Sequence, residues 1–426
     1  MKSFKAYRWT LLGIISVLYY FVCLHRVSPT VVARDLAQSF QAEAVTIGII
    51  SSAYFYLYSS LQPVVGYLTD TVSPRKIMSL FFAASGIGAV VFGTAPNATV
   101  AVLGRILIGA GLAGIFIPAL KLFSRWYRVD QYSGLTGLML MVGGLGSISA
   151  ALPLTYLVVL TGWRNAFIGI GVFSFVLALI CWVIIRDTPE EKGWPSPGFE
   201  LAPKKEVVVG FRKKATMIGG SLNFWMIFLS TFFAGGASIS FQGLWSIPYL
   251  MDVFGLDRIH AGWILMLLPL GFALGGPTLG FLVERLHLNH KRVLLGGLVI
   301  TFLGWTVMLS LDAHDPVFIP AALLFIFGLT GGGTLPLYYT ITRDLFPAWL
   351  LGTASGLMNA AAFLGAAFYQ PLTGYLLEGY AVHSGVFSFD GYRLLLSVFL
   401  GSYFMAFVAM LVFKDGKMAK ATPLNY

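Results

Sequence analysis

Residues 102–120 read VLGRILIGAGLAGIFIPAL, nineteen positions with a single charge, Arg105. A core helix of a soluble domain keeps a polar face, and about 20 residues this apolar are what a bilayer crossing needs. The same character returns on both sides, in Trp9 to Cys23 and in Leu394 to Phe413. Of the 426 residues, 57% are hydrophobic and only 11% charged, against roughly 25% charged in soluble chains. Twelve membrane helices are expected, at 9–33, 45–69, 77–95, 99–123, 133–160, 166–186, 222–250, 261–283, 293–311, 317–342, 350–377 and 392–413. A barrel would show short alternating segments instead. Cys23 and Cys181 both lie in apolar runs, which suits packing and not a disulfide scaffold.

The net charge of +10 is spread between the apolar runs, so it does not point to nucleic acid. With the N-terminus inside, 21 of the 28 Lys and Arg fall in cytoplasmic segments and 4 (Arg34, Arg164, Arg258, Arg393) in outer ones. The positive-inside rule therefore places both termini in the cytoplasm of an inner, plasma-type membrane. The first apolar run is long and eleven more follow, so a cleaved signal peptide is not expected. One long polar segment, Asp187 to Gly220, carries four prolines and the cluster Lys204, Lys205, Arg212, Lys213 and Lys214. It reads as a cytoplasmic tether, or as a lipid-binding arm. It divides the chain into 1–186, a linker 187–220, and 221–426.

The two parts share spaced residues. Pro63-x-x-Gly66-x-x-x-Asp70 recurs as Pro277-x-x-Gly280-x-x-x-Glu284. Pro118, Ser124-Arg125 and Gly134 recur as Pro336, Thr342-Arg343 and Gly352. Gly137-Leu138-Met139 recurs as Gly356-Leu357-Met358, and Pro153-Leu154-Thr155 as Pro371-Leu372-Thr373. Four matches in one order at nearly constant offset imply parallel repeats of six helices, with a site between them. The fold class expected is thus an all-α membrane protein, twelve transmembrane helices in two pseudo-symmetric six-helix bundles.

Gly66-Tyr-Leu-Thr-Asp70-Thr-Val-Ser-Pro-Arg75-Lys76 resembles the signature loop of the major facilitator superfamily. Arg105-x-x-x-Gly109-x-Gly111 resembles a second signature, and Gly137, Gly143, Gly144 and Gly146 its glycine-rich fifth helix. The loop departs from the family at Thr71 and Ser73, where a basic residue and a glycine are usual. The resemblance covers essentially the whole chain and implies a transporter, not an enzyme. At a cytoplasmic helix end, Asp70 can pair with Arg75 or face the positive N-terminus of a neighbouring helix such as the eleventh span. Asp70, Arg75, Lys76 and Glu284 are the gating candidates, and the loop could equally be plain solvated charge.

Polar residues inside a bilayer are costly and mark function. All 18 acids fall in loops or at span ends, whereas Arg26 and Arg105 lie deep, with Lys121 nearer the cytoplasm. Uncompensated cations make an anion site, and the planar fork of Arg suits carboxylate or phosphate. Arg105 has an alternative role, bonding backbone carbonyls at a helix break. Tyr54, Tyr58 and Gln62 share one helix face and can offer hydroxyl and amide contacts. Gln242, Trp245, Tyr338, Asn359 and Gln370 are the corresponding candidates in the second half.

The coupling residue is less defined. His25 precedes Arg26, and its ordinary pKa near 6.5 suits a proton carrier. A bound anion would offset the repulsion between charged His25 and Arg26, so anion and proton would bind together. Otherwise His25 is a neutral hydrogen-bonding residue and the protein is a facilitator or exchanger.

Tyr7-Arg8-Trp9 to His25-Arg26-Val27-Ser28, Ser124-Arg125-Trp126 and Gly162-Trp163-Arg164-Asn165-Ala166-Phe167 resemble organic anion and sugar-phosphate transporters. That resemblance implies a substrate role for Arg26. The proton-carrying acids of the anion:cation symporters fall here at His25 and Leu112, so both are missing. The sugar-phosphate antiporters' second arginine, in the seventh span, is also missing. Arg26-Val27-Ser28-Pro29 and Tyr54-x-Tyr56-x-Tyr58-x-x-x-Gln62-Pro63-x-x-Gly66 resemble amino-acid transporters of intracellular bacteria. The expected function is secondary transport of a small anionic or zwitterionic metabolite (an organic acid, phosphorylated metabolite or amino acid) by alternating access. The alternative is a membrane sensor of such a metabolite. The expected partners are the small-molecule substrate, membrane lipid and, under the His25 option, protons. No cofactor, metal or nucleic acid is expected, and the chain reads as a monomer.

Overall fold

The computed structural model describes residues 2–195 and 211–414. Lys204 and Lys205 of the basic cluster lie outside them, as do the side chains of Arg212, Asp70 and Glu284. The first nine helices are α1 (Lys2–Val27), α2 (Pro29–Phe40), α3 (Ala44–Thr71), α4 (Pro74–Gly93), α5 (Ala98–Ala113), α6 (Phe116–Trp126), α7 (Val129–Ala151), α8 (Pro153–Thr161) and α9 (Trp163–Ile184). The rest are α10 (Phe211–Gly219), α11 (Leu222–Ser240), α12 (Ser246–Phe254), α13 (Arg258–Leu265), α14 (Leu267–Arg285), α15 (His290–Ser310), α16 (Phe318–Leu345), α17 (Ala348–Glu378) and α18 (Phe389–Val412).

Several helices continue one another. Pro29 and Pro153 stand at the first turn of α2 and α8, where a missing N–H is tolerated but the preceding helix cannot run on. The first span is therefore not the single rod 9–33: α1 stops at Val27 and α2 carries the chain on to Phe40. Between α11 and α12 the helix passes through a five-residue π turn, Phe241–Trp245. The polar segment after α9 is not all irregular, since it includes a 3₁₀ turn, Pro189–Lys192, and α10. A short hairpin of β1 (Ala381–His383) and β2 (Val386–Phe387) joins α17 to α18.

Among the described residues, eleven helical rods are long and apolar enough to cross a membrane. At 31 residues, α17 is the longest of the described helices.

The packing repeats along the chain. α1 packs on α7, α3 on α5, and α4 on both α5 and α9. Further on, α11 packs on α17, α14 on α16, and α15 on both α16 and α18. The two sets meet where α3 lies along α17, α7 touches α14, α8 touches α13, and α2 touches the π turn and α12.

Among the described residues, the two sets close at one end. A Cβ on Gly48 would stand 2.3 Å from the Gln370 carbonyl oxygen, and one on Gly374 2.5 Å from that of Ala44. Only glycine lets α3 and α17 approach this closely. Towards their other ends these helices part: Tyr67 is 70% exposed, and a Cβ on Gly66 or Gly356 would meet nothing.

Candidate functional site

The break at Pro29 shapes the site. A helix continuing through residue 29 would bond that N–H to the His25 carbonyl, and proline has none to give. Ser28 Oγ donates to that oxygen at 3.1 Å, and Arg105 Nη1 donates to it at 3.1 Å. Arg105 Nη2 reaches Ser51 O at 3.5 Å, and the guanidinium lies 5.1 Å from the Tyr54 ring centre. Arg105 is fully buried, so it ties α5 to the break and to α3 through backbone carbonyls. Lys121 likewise donates to the Thr69 carbonyl.

Arg26 has different surroundings. One position along the helix turns a side chain about 100°, and Arg26 points where α3 and α17 meet. Its guanidinium carbon lies 4.7 Å from the Phe363 ring centre and 5.8 Å from that of Tyr58. Its Nε is buried without a hydrogen-bond partner, while the residue as a whole is half-buried and reachable. The Tyr58 ring stacks on Tyr54 at 5.5 Å, and its hydroxyl lies near both Arg26 and Gln62. Tyr19, Cys23 and Tyr339 complete the surroundings. Tyr339 donates to Asn359 Oδ1 at 2.9 Å, which links Asn359 to the cluster. The aromatic faces attract the cation weakly, and an anion would attract it far more strongly.

The other candidates separate from this cluster. Trp245 donates through Nε1 to Thr373 Oγ1 at 2.7 Å, a buried cross-link from the π turn to α17. The Tyr338 hydroxyl lies 2.7 Å from Ser230 Oγ and faces α11. Gln242 sits half-buried in the π turn. Gln370 is fully buried with both amide atoms unpartnered. His25 is also fully buried with both ring nitrogens unpartnered, its ring 6.2 Å from Phe167 of α9. Arg75 lies over Trp182 of α9 at 5.0 Å and donates its backbone N–H to Asp187, while Lys76 is exposed.

Tyr19, Tyr339 and Phe363 were not among the expected site residues. Tyr19, Cys23 and Arg26 share one face of α1 by their spacing of four and three, a signal that would have found the first. Tyr339 is one position from the expected Tyr338, and only the rotation of α16 within the packing distinguishes them.

At the closed end, charges bind the two sets of helices together. Arg34 of α2 pairs with Asp252 of α12, and Asp35 with Arg258 of α13 at 2.7 Å. Asp252 Oδ2 also accepts from the Tyr392 hydroxyl at 2.7 Å and from Phe387 N of β2 at 3.0 Å. Glu378 at the end of α17 accepts from Ala44 N at 2.6 Å, at the first turn of α3.

Residues 10–245 and 227–424 match the family described as the Major Facilitator Superfamily. The chain is 24% identical over 396 residues to a probable sulfoacetate transporter of Cupriavidus necator, covering 89% of each protein. It is 24% identical over 395 residues to the hexuronate transporter of Escherichia coli, again covering 89% of each. A probable hexose phosphate transport protein of Chlamydia pneumoniae is 22% identical over 388 residues, or 86% of this chain and 84% of that one. Among solved structures, a bacterial homolog of the human lysosomal transporter Spinster, inward-facing and unoccupied, superposes with a TM-score of 0.78 at 19% identity. It covers 97% of this chain and 99% of its own. A D-xylose–proton symporter superposes with a TM-score of 0.75 at 13% identity, covering 97% and 98%. At these identities the superpositions speak for the fold.

Proposed function

The chain belongs to the Major Facilitator Superfamily, and on that premise we propose that it is a secondary transporter for a small organic anion with one dominant negative group, held at Arg26. It is a multi-pass membrane protein and a transporter, not an enzyme. The observation that carries the substrate reading is the Arg26 head, reachable, over aromatic faces, with its Nε unpartnered. Among the described residues, no ion pair joins it to an Asp or Glu. A doubly charged phosphate ester would call for a second free cation, and Arg105 and Lys121 are spent on backbone carbonyls. The amino-acid reading draws no support from the relatives named above, and neither does the sensor reading.

Two six-helix bundles, 1–186 and 221–426 joined by 187–220, account for the packing that repeats between the two sets of helices. With both termini in the cytoplasm, the closed end faces outwards and the splayed end inwards. Alternating access would then proceed by opening the ion-paired end while Gly66, Gly134, Gly137 and Gly356, now facing open space, come together. A cysteine replacing the exposed Leu288 should react with an impermeant thiol reagent only from inside, and one replacing Ala313 only from outside. Labelling of position 288 in intact cells would overturn the orientation.

His25 is the candidate proton carrier; without that role the protein is a facilitator or exchanger. If His25 carries protons, His25→Gln keeps exchange of the anion but loses accumulation driven by a pH gradient. Full uphill accumulation by that variant would remove His25 from the coupling.

The substrate reading is tested by thermal shift of the purified protein with glucuronate, glucose 6-phosphate and alanine. A ligand present at 100 times its Kd adds about 2.7 kcal/mol to the folded state, enough to raise the melting temperature measurably. The expected result is a shift with the monocarboxylate and none with the other two. A shift only with the phosphate ester would overturn it.

A further inference from the structure

We propose that Tyr56 is a positioning residue of the transport cycle: its hydroxyl replaces the backbone donor that Pro371 withholds, and so ties α3 to α17 in the state closed at the ion-paired end. The tie involves neither Arg26 nor the solute.

Two positions along a helix turn a side chain about 200°, so the middle tyrosine of Tyr54-x-Tyr56-x-Tyr58 points away from the Arg26 cluster. Its hydroxyl donates instead to the Ala367 carbonyl of α17 at 2.9 Å. Ala367 comes four residues before Pro371, which stands inside α17. A helix bonds each carbonyl to the N–H four residues on, and proline has none, so the Ala367 oxygen lacks its ordinary donor. A carbonyl left without a donor in a membrane span is costly. α3 therefore supplies what α17 cannot supply for itself.

The tie lies between the close contact of Gly48 with Gln370 and the Phe363 ring that faces the Arg26 guanidinium, one helical turn from that ring. Phe55, next to Tyr56, stacks on Phe363 with ring centres 6.2 Å apart. If α3 and α17 part to open a path from the closed end to Arg26, this bond has to break.

The corresponding contact between the other helices lacks such a bond. Pro63 recurs as Pro277 and Pro153 as Pro371, which equates Gly48 with Gly262 and Tyr56 with Leu270. The two glycines behave alike: a Cβ on Gly262 would stand 2.6 Å from the Ala151 carbonyl oxygen, as one on Gly48 crowds that of Gln370. Leu270, however, has no donor to offer the Ser149 carbonyl, whose ordinary partner Pro153 removes in the same way. A proline at this place in the fold does not by itself demand a hydroxyl from across the contact, so the one at Ala367 is an addition.

The test is a double-mutant cycle on the purified full chain. Its readout is the rate at which an impermeant thiol reagent labels a cysteine placed at Ala44, buried where α3 meets α17. The chain without that cysteine supplies the blank for the buried Cys23 and Cys181. Tyr56→Phe removes one oxygen and should quicken labelling about threefold to tenfold, the contribution of one ordinary hydrogen bond. Pro371→Ala returns the N–H to α17, and in that background Tyr56→Phe should change the rate by less than about twofold. Pro371→Gly also restores the N–H and stands in if Pro371→Ala does not fold. Equal quickening in both backgrounds would overturn the link to the vacant carbonyl, and no quickening in the first would overturn the tie. No solute enters the measurement, so its failure leaves the Arg26 reading untouched, and failure of that reading leaves the tie in place.

Discussion

Arg26→Ala removes anion binding and leaves the fold intact. Truncating one partner of a desolvated charge pair costs about 3 kcal/mol or more, roughly a hundredfold in affinity. The empty protein loses little by the same change: the buried Nε has no hydrogen-bond partner, and what goes is the head's contact with the Tyr58 hydroxyl and the two ring faces. The melting temperature without ligand should therefore change little, while the ligand-induced shift disappears. Arg105→Ala should behave in the opposite way. It strips donors from the His25 and Ser51 carbonyls inside the packing, which costs about 1–3 kcal/mol for each carbonyl left unpaired. Its melting temperature should fall. The pair separates a cation kept for a ligand from a cation kept for the backbone. Wild-type affinity in Arg26→Ala, measured in the same assay, would remove the anion site.

On the proposed orientation, Asp252→Ala opens the ion-paired end to the outside. Its side chain is 1% exposed and accepts from Arg34, the Tyr392 hydroxyl and the Phe387 N–H at once. Breaking a buried pair by deleting one member is costly, about 3–5 kcal/mol, because the other charge is left without a partner. That penalty falls on the state in which α2 touches α12, and not on a state in which they have parted. The equilibrium should move towards outward-open. A cysteine at Ala44, buried where α3 meets α17, reports the change. Its labelling by an impermeant reagent from outside should quicken tenfold or more in Asp252→Ala. An unchanged rate would mean that the ion pairs decorate the seal without holding it.

Much of the membrane character was readable because it depends on local composition and periodicity. Runs such as 102–120 declare a bilayer crossing by themselves. Pro29 was equally visible, yet its consequence was not: α1 ends, α2 turns the last part of the first span against α12, and Arg34 and Asp35 become interface charges. Which loop charges meet across a gap depends on the placement of two distant helices, and no spacing rule reports that. Within single helices the faces were legible, as for Tyr54, Tyr58 and Gln62. Rotation of a helix about its axis was not. Tyr338 and Tyr339 differ by one position, and packing turns the first to Ser230 and the second to the Arg26 cluster. The same limit applies to His25 and Arg26, adjacent in the chain, one enclosed against Phe167 and the other over Phe363.

Entrance counterflow in proteoliposomes bears most directly on the central claim, that this chain moves an organic anion bound at Arg26. Vesicles carrying the purified protein are loaded with unlabelled glucuronate and diluted into a trace of the labelled anion. The account predicts transient accumulation of label in wild-type vesicles, none in vesicles of Arg26→Ala, and competition by other monocarboxylates. Tight binding of glucuronate by the wild type without any counterflow would contradict it, since that protein would sense the anion and not carry it.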